Sequence, residues 1–221
     1  MFVIQSLTKT YTRSRHQVHA LKDVSLSIDA GSFVAVTGPS GSGKTTLLLS
    51  LGGLIQPSAG KVQYGDKDLY TLSSSRIAAF RNQTIGFVLQ TFNLVPYLTA
   101  VENVLLPMLP QGRNGTNPTQ RAIELLDILG LANRKDFHPR ELSVGQQQRV
   151  AIARALANEP DVILADEPTG NLDPALSEEI LDILGDLNRT HGKTVIMVTH
   201  SPQAAARAGA VLNLREGMLV S

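Results

Sequence analysis

The sequence predicts an α/β fold in which a mixed sheet is covered by helices and interrupted by a helical insert. Short apolar runs typical of buried parallel strands recur at 85–89, 162–165 and 194–198. Helical patterns lie between and around these runs, and the clearest is an apolar stripe from Leu176 to Leu187 with the spacing of one helix face. Residues 91–140 carry helical patterns and almost no strand signal. We therefore expect a helical insert within an α/β core.

The length of 221 residues suits one domain with an inserted part. We expect a single domain over 1–221, with a core formed by 1–90 and 141–221 and a helical subdomain over about 91–140. The elements predicted ahead of the insert are strands at Phe2–Leu7, Val24–Ile28 and Phe33–Val36, and a helix from Lys44 to Gly52.

Inside the insert, the pattern of Arg121 to Leu129 predicts a helix that ends at Gly130. Residues 110–118 are punctuated by proline, glycine and asparagine, which predicts a loop.

Composition excludes several classes of function. The net charge of +1 lacks the basic excess of a nucleic-acid binder, so no nucleic-acid partner is expected. With no cysteine there is no disulfide framework, thiolate catalysis or cysteine metal site. The most apolar stretch, Leu47 to Ile55, is far shorter than the roughly 20 residues that cross a bilayer. The N-terminus lacks the pattern of a signal peptide. We expect a soluble chain that reaches a membrane only through a partner.

A glycine-rich loop after the strand ending at Val36 has the pattern G-x-x-x-x-G-K-T of a phosphate-binding loop. Glycines let backbone N–H groups turn around phosphates, and the helix that follows adds its positive end. Lys44 is expected to reach the β- and γ-phosphates, Thr45 to hold Mg²⁺, and Thr46 to cap the helix or touch the α-phosphate. The alternative is a glycine-rich turn that matches by accident, which the strand–loop–helix context disfavours. The loop consists of Gly38, Pro39, Ser40, Gly41, Ser42, Gly43, Lys44 and Thr45.

Two later apolar strands end in polar residues that suit the same chemistry. Asp166 and Glu167 end the run that starts at Val162, where Asp166 would bind Mg²⁺ and Glu167 would polarise the attacking water. The alternative is an ordinary strand that runs into a solvated acidic turn. His200 ends the next strand, and ligand sites in open α/β sheets lie beyond such strand ends. It would reach the γ-phosphate, unless it is only a structural residue that caps the strand.

A second helix start carries a serine and a glycine. Ser143 and Gly145 lie in the run Leu142-Ser-Val-Gly-Gln146, ahead of a long helix, which makes a second anion-binding terminus. One site does not need two such ends, but a head-to-tail dimer does, because each protomer's second terminus would close over the other's γ-phosphate. The alternative is a plain helix start with Ser143 as its N-cap.

These motifs, in this order, resemble the nucleotide-binding domain of ABC transporters over essentially the whole chain. Tyr11, which follows the predicted first strand, matches the aromatic residue that stacks on adenine, although a lone tyrosine there is otherwise a packed surface aromatic. Gln90 matches the Q-loop glutamine, Leu142–Gln146 the signature, Asn171-Leu-Asp173 the D-loop, and His200 the switch histidine.

The resemblance implies a P-loop NTPase fold of the ABC ATPase type, with a RecA-like core, an antiparallel β subdomain and an inserted α-helical subdomain. It implies ATP and Mg²⁺ as ligands. Glu167, His200, Gln90 and Lys44 would act in catalysis, and Thr45, Gln90 and Asp166 would hold the metal. The remaining nucleotide contacts would come from the loop with Thr46, and from Tyr11, Ser143, Gly145, Gln146 and Asp173.

The implied partners are a second copy of the chain and an integral membrane permease with an extracytoplasmic domain, reached from the cytoplasmic face of the membrane. The stretches 166–173 and 91–103 look most like the lipoprotein-release, macrolide-export and cell-division group, the LolD-, MacB- and FtsE-like cassettes. Two positions depart from the family pattern. Val144 stands where the signature usually has glycine, and Ser201 stands where aspartate often follows the histidine.

Two other classes of function remain as alternatives. A soluble ABC-type ATPase acting on DNA or ribosomes would usually carry a coiled-coil insertion or tandem ATPase domains, whereas only about fifty residues separate Gln90 from Leu142. A nucleotide-gated module without turnover would lack the base, but Glu167 and His200 are both present. Finally, the mixed apolar and polar stretch from Phe92 to Glu102 is expected to line part of a groove that receives a cytoplasmic helix of the permease.

Overall fold

The computed structural model describes residues 1–13, 16–111 and 117–220. Its strands are β1 (Phe2–Arg13), β2 (His16–Ile28), β3 (Phe33–Thr37), β4 (Ala59–Tyr64), β5 (Lys67–Asp68), β6 (Ile85–Leu89), β7 (Val162–Asp166), β8 (Thr194–Val198), β9 (Ala210–Arg215) and β10 (Met218–Val220). Its α-helices are α1 (Lys44–Leu51), α2 (Ser74–Thr84), α3 (Ala100–Leu105), α4 (Pro118–Ile128), α5 (Val144–Leu156), α6 (Pro174–Arg189) and α7 (Pro202–Ala205). Short 3₁₀ helices cover Leu69–Thr71, Leu106–Gln111, Ala132–Arg134 and Pro139–Glu141.

The strands form two sheets. The larger has six strands in the order β10-β9-β3-β8-β7-β6, and all its neighbours run parallel except the terminal β10. The smaller is antiparallel, with the order β2-β1-β4-β5. Buried apolar residues fill β3, β7 and β8 from both sides, which is the pattern expected of parallel strands covered on two faces.

Alternation along the parallel strands separates two hydrophobic layers. On β3, Ala35 packs into a layer with the buried sides of α3, α4, α5 and α6. Its neighbours Val34 and Val36 pack into the other layer, with α1 and the antiparallel sheet. Successive side chains of a strand point to opposite faces, so the same strands serve both layers. The six-stranded sheet is thus enclosed between helices on one side and α1 with the smaller sheet on the other.

Most of the predicted elements are confirmed. The strands expected at 33–36, 85–89, 162–165 and 194–198 appear with at most one residue of difference. Helix α1 ends at Leu51 with Gly52 as its C-cap, as the glycine pair predicted. Along α6, the stripe buries Ile180, Leu184 and Leu187.

The predicted end of the first strand at Leu7 is wrong. β1 continues through Arg13 and pairs with β2 up to His16, with register shifts after Ile4, Leu7 and Lys9. These irregularities interrupt the simple alternation along the strand, which is why the pattern stops before the strand does. Tyr11 therefore lies on β1, opposite Val18, and not after it.

Within residues 91–111 and 117–140, all regular structure is helical, as expected. Helix α4 begins at Pro118, behind the N-cap Asn117, three residues earlier than the predicted start at Arg121. The predicted loop at 110–118 falls mainly on residues 112–116, which lie outside the described residues. Among the helices of the described ranges, none has both the length and the apolar character needed to cross a bilayer.

Candidate active site

Strand register brings the predicted site residues to one edge of the six-stranded sheet. Val36 pairs with Val198, Val198 with Asp166, and Asp166 with Leu89. Because these strands are parallel, the residues that follow them emerge side by side at the carboxyl edge. The glycine-rich loop, His200, Glu167 and Gln90 follow directly. The expected gathering of these groups at one sheet edge is therefore a consequence of the register.

The loop after β3 needs glycine at two positions. Gly38 has φ +148°, and a Cβ there would lie 2.0 Å from the carbonyl oxygen of Leu214. Gly43 has φ +102°, and its Cβ would lie 2.1 Å from the carbonyl oxygen of Ala20. Both positions combine a left-handed backbone with a close approach to neighbouring main chain, which only glycine accepts. At these two glycines the loop therefore packs closely against the main chain of β9 and β2.

Lys44 lies inside this turn. Its side chain is buried, and its Nζ donates to the carbonyl oxygens of Gly38 at 2.8 Å and Pro39 at 3.0 Å. The two hydrogen bonds to main-chain carbonyl oxygens restrain the buried ammonium group within the turn. Its positive charge therefore lies next to the space that the loop surrounds.

The same loop holds polar groups that lack partners within the chain. Ser42 Oγ is buried and makes no hydrogen bond within the described residues. Helix α1 has Gly43 as its N-cap, with no side-chain cap and no acidic residue in its first turn. A buried hydroxyl, free N–H groups at a helix start and an adjacent lysine together fit an anionic phosphate chain. The loop therefore fits the phosphates of ATP.

Thr45 and Asp166 meet across the sheet edge. Thr45 Oγ1 donates to Asp166 Oδ1 at 3.0 Å. Burial raises the pKa of Asp166, an effect that the hydrogen bond from Thr45 and the charge of Lys44 oppose and the nearby Glu167 reinforces. A hydroxyl beside a carboxylate is a suitable oxygen donor set for Mg²⁺, with phosphate and water oxygens completing the coordination. Two of the three residues predicted to hold the metal, Thr45 and Asp166, are thus in direct contact.

Glu167 and His200 form a pair at the adjacent strand ends. Glu167 has φ +46°, in the left-handed region, and its N–H donates to the carbonyl oxygen of Val198 at 2.9 Å. Its Oε1 lies 2.9 Å from His200 Nδ1, and its Oε2 accepts from the His200 N–H at 3.3 Å. The Glu167 side chain is 14% exposed and that of His200 is 68% exposed. A strained backbone at a polar cluster is typical of functional sites.

Gln90 lies beside the segment that follows Glu167. Its carbonyl oxygen accepts from Asn171 Nδ2 at 3.0 Å. A Cβ on Gly170 would lie 3.0 Å from Gln90 Nε2, so any larger residue at position 170 would push against the Gln90 side chain. The predicted Q-loop and D-loop residues are therefore in contact within one chain.

The residues of the second helix start form a separate group. The Ser143 hydroxyl accepts from the Gln146 N–H at 3.3 Å, and Gln146 Oε1 accepts from the Ser143 N–H at 3.0 Å, forming a capping box. Gly145 packs against Leu176, and Asp173 caps α6 by accepting from the Leu176 N–H at 3.0 Å. In the described residues, no hydrogen bond or ion pair joins Ser143 to the phosphate loop.

Tyr11 lies on the antiparallel sheet, 41% exposed. Lys9 Nζ is 5.1 Å from the centroid of its ring, on one face. The Tyr11 ring thus lies at the surface and is not packed into the core. An aromatic residue that stacks on a ligand must be accessible in this way.

One surface feature went unpredicted. A cavity of about 1000 Å³ opens between α2, β6 and α5, and its walls include Leu54, Ala79, Phe87, Asn93 and Arg154. Its walls come from segments as far apart in the sequence as Leu54 and Asn158, so local periodicity carries no signal for it.

Comparison with known proteins identifies the class. A family model described as ABC transporter matches residues 21–170, and the chain therefore belongs to the ABC transporter family. It is similar to the uncharacterized ABC transporter ATP-binding protein YvrO of Bacillus subtilis, at 45% identity over 100% of this chain and 96% of that protein. It is also similar to the lipoprotein-releasing system ATP-binding protein LolD of Syntrophus aciditrophicus, at 42% identity over 100% of this chain and 99% of that protein.

A longer relative and a solved structure complete the comparison. The macrolide export ATP-binding/permease protein MacB of Syntrophobacter fumaroxidans is 46% identical over 98% of this chain, which spans only 30% of that protein. The ATP-binding cassette MJ0796, in a dimeric post-hydrolysis state with ADP and Pi, matches with a TM-score of 0.94 at 42% identity. The match covers 100% of this chain and 97% of that one. The predicted fold class and activity are confirmed: this chain is an ATP-binding, ATP-hydrolysing ABC cassette.

Proposed function

We propose that two copies of the chain close head-to-tail around two ATP molecules with Mg²⁺ and, at the cytoplasmic face of a membrane, drive a permease. The separation of Ser143 from the phosphate loop supports the dimer. Ser143 and Val144 are exposed at the start of α5, so this helix end is free to meet a ligand held by a second copy. The dimeric state of the MJ0796 cassette agrees with this arrangement.

Within each site, we assign Lys44, the loop amides and Thr46 to the phosphates, and Tyr11 to the adenine. Thr45, Asp166 and Gln90 would hold Mg²⁺, which when bound would neutralise negative charge on the phosphates. Gly145, Gln146 and Asp173 accompany Ser143 in the partner's half of the site.

The chemical step needs a proton acceptor near the attacking water. We assign this role to Glu167, whose carboxylate is shielded and held by His200. His200 then orients both the carboxylate and the γ-phosphate. The direct contact of the two side chains at 2.9 Å supports this division of roles.

The helical subdomain over 91–140 is proposed to move against the core formed by 1–90 and 141–221. Gln90 lies at this boundary, directly after β6, so the loss of the γ-phosphate would change the contacts of Gln90 before those of the rest of the helical subdomain. Two observations support a contact surface here: Tyr97 is 78% exposed, and Asn93, four residues earlier, lines the 1000 Å³ cavity. We propose that a cytoplasmic helix of the permease docks against this region.

The class of permease follows from the relatives. LolD is named for a lipoprotein-releasing system and MacB for macrolide export, and MacB joins its ATP-binding part to a permease in one chain. We propose a permease of this group with an extracytoplasmic domain.

Mixed dimers test the composite site. A Lys44→Ala chain and a Ser143→Ala chain, each expected to be inactive alone, should form a heterodimer with one site carrying both defects and one carrying neither. If each site combines Lys44 of one protomer with Ser143 of the other, mixing restores part of the activity. If mixing restores nothing while the heterodimer is shown to form, the composite site or the independence of its two halves is refuted.

The docking surface is tested by serine substitutions at Tyr97 and Leu98. Both should abolish stimulation of the ATPase by the permease and leave the basal turnover of the isolated subunit unchanged. Ile128→Ser is the matched control, because Ile128 is 75% exposed on α4 and lies outside the proposed surface. Parental stimulation and co-purification of the Tyr97 and Leu98 variants would place the docking surface elsewhere.

A further inference from the structure

Two consecutive residues after Gln90 adopt the left-handed conformation. Phe92 has φ +57° and Asn93 has φ +50°. Asparagine tolerates this region, but a bulky residue such as phenylalanine rarely adopts it because the left-handed backbone is strained. The Asn93 N–H donates to the Thr91 carbonyl oxygen at 2.5 Å, and the Thr91 hydroxyl donates to Asn93 Oδ1 at 2.7 Å. Such a turn persists only where its surroundings hold it.

Arg154 supplies that restraint. Its guanidinium donates from one terminal nitrogen to the Phe92 carbonyl oxygen at 2.5 Å, and from the other to the Asn93 carbonyl oxygen at 2.6 Å. The planar guanidinium of an arginine donates to two neighbouring acceptors from two separate nitrogens in a fixed geometry, which the single ammonium nitrogen of a lysine does not reproduce. Burial lowers the pKa of Arg154. Among the described residues, no carboxylate forms an ion pair with it. Two main-chain carbonyls are therefore the partners of a partly buried cation.

Helix α5 connects this contact to the signature. Ser143 caps its start, and Arg154 lies in its last turn. Between them, Gln148 is fully buried and its Nε2 donates to the Pro168 carbonyl oxygen at 2.8 Å, next to Glu167. The helix is thus fixed to the segment after β7, while its end holds the turn after Gln90.

We propose that Arg154 is a positioning residue for Gln90: it fastens the left-handed turn at Phe92 and Asn93 to α5, and so sets where the Gln90 side chain lies. The inference rests on the proposed role of Gln90 at the metal and the water. Gln90 is then held from two sides, by Asn171 on its own carbonyl oxygen and by Arg154 through the turn. A shift of α5 would consequently displace Gln90.

Arg154→Lys is the first test, because it keeps the charge and removes the fork. We expect turnover to fall about 10-fold and the Mg²⁺ concentration for half-maximal turnover to rise, with ATP affinity measured without Mg²⁺ unchanged. Hydrogen exchange should become faster in a peptide covering 88–95. Arg121→Lys is the matched control, since Arg121 pairs with Glu159 at 3.2 Å and, among the described residues, makes no hydrogen bond to Phe92 or Asn93, so it should show none of these changes.

A double-mutant comparison separates positioning from a general loss of structure. In a Gln90→Ala background, Arg154→Lys should lower turnover by less than about 2-fold, because the residue through which it acts is gone. An equal loss in both backgrounds, or unchanged exchange in 88–95, would overturn the proposal and leave the role of Gln90 standing. Parental turnover and Mg²⁺ dependence in Gln90→Ala would instead refute the role of Gln90, and with it the route from Arg154 to catalysis.

A second variant disturbs the same turn without touching Arg154, should the lysine variant fail to fold. Asn93→Val places a β-branched residue at φ +50°, which that backbone disfavours. It should reproduce the loss of turnover in the parent and cause no further loss in Gln90→Ala. If Asn93→Val lowers turnover equally in the parent and in Gln90→Ala, the inference is contradicted.

Discussion

Replacing Glu167 by glutamine isolates the proton-accepting role of this side chain. Glutamine keeps the shape of the carboxylate, and its amide can satisfy both contacts with His200. Its oxygen can accept from the His200 N–H, and its nitrogen can donate to an unprotonated Nδ1, in place of the present contacts of 3.3 and 2.9 Å. The left-handed backbone at Glu167 is as available to glutamine as to glutamate. The substitution therefore removes basicity with little change in structure.

The expected magnitudes separate chemistry from folding. General-base catalysis contributes about 10²- to 10⁴-fold in rate, which corresponds to about 3–5 kcal/mol of activation free energy. An imperfect exchange of one hydrogen bond to His200 costs about 1 kcal/mol of stability at most. Turnover of Glu167→Gln should thus fall by at least about 100-fold, while the midpoint of thermal unfolding moves by only a few degrees.

The assay measures phosphate release, ATP binding and oligomeric state on the same samples. Glu167→Gln should bind ATP with parental affinity and accumulate as a dimer on size-exclusion chromatography with ATP and Mg²⁺. Glu124→Gln, an exposed change on α4, is the control and should keep turnover within a factor of two. Hydrolysis by Glu167→Gln above about a tenth of the parental rate would show that the base lies elsewhere.

Burial and backbone geometry support three further predictions. Burial raises the pKa of Asp166, so the folded state binds this proton more tightly than the unfolded state, and the free energy of unfolding falls as pH rises through the raised pKa. Asp166→Asn removes the buried charge, so it should raise the unfolding temperature of the nucleotide-free protein at neutral pH while lowering turnover on the order of 100-fold. Gly43→Ala should destabilise by about 2–4 kcal/mol, because a Cβ would meet Ala20 at 2.1 Å, whereas Gly41→Ala, with nothing within 4 Å but φ +79°, should cost about 1–2 kcal/mol in denaturant unfolding. Asn103→Ala should cost about 2–3 kcal/mol, since this fully buried side chain makes four hydrogen bonds to main chain at Val95, Leu98 and Thr99, and limited proteolysis should then cleave that segment faster.

The sequence carried enough information for the central sheet and for the edge that bears the site. The runs at 85–89, 162–165 and 194–198 are apolar throughout because both faces are buried, and this makes them visible without any structural knowledge. Once these strands are parallel neighbours, Gln90, Glu167 and His200 must emerge at one edge. Their gathering could therefore be predicted from the order of strand and polar residue alone.

The antiparallel sheet was less predictable because its strands are bulged and partly exposed. Ser6 and Asp23 have positive φ, at +47° and +51°, where β1 and β2 shift register. Each bulge moves the alternation of side chains out of phase, so a period of two breaks down before the strand ends. For that reason the first strand was predicted to end at Leu7, and Tyr11 was placed after it.

Contacts between distant segments set the limit of what the sequence could show. Arg154 is the one charged residue in the apolar run Val150–Leu156 at the end of α5, and a charged side chain is by default assigned to an exposed face. Its actual partners are the carbonyl oxygens of Phe92 and Asn93, about sixty positions earlier, and carbonyl oxygens occur at every residue. No side-chain pattern at 92 and 93 could predict these acceptors, because the left-handed turn sets the direction in which the two carbonyl oxygens point. A cation inside an apolar run is the only sequence signal available, and it indicates that a partner exists without indicating where that partner lies.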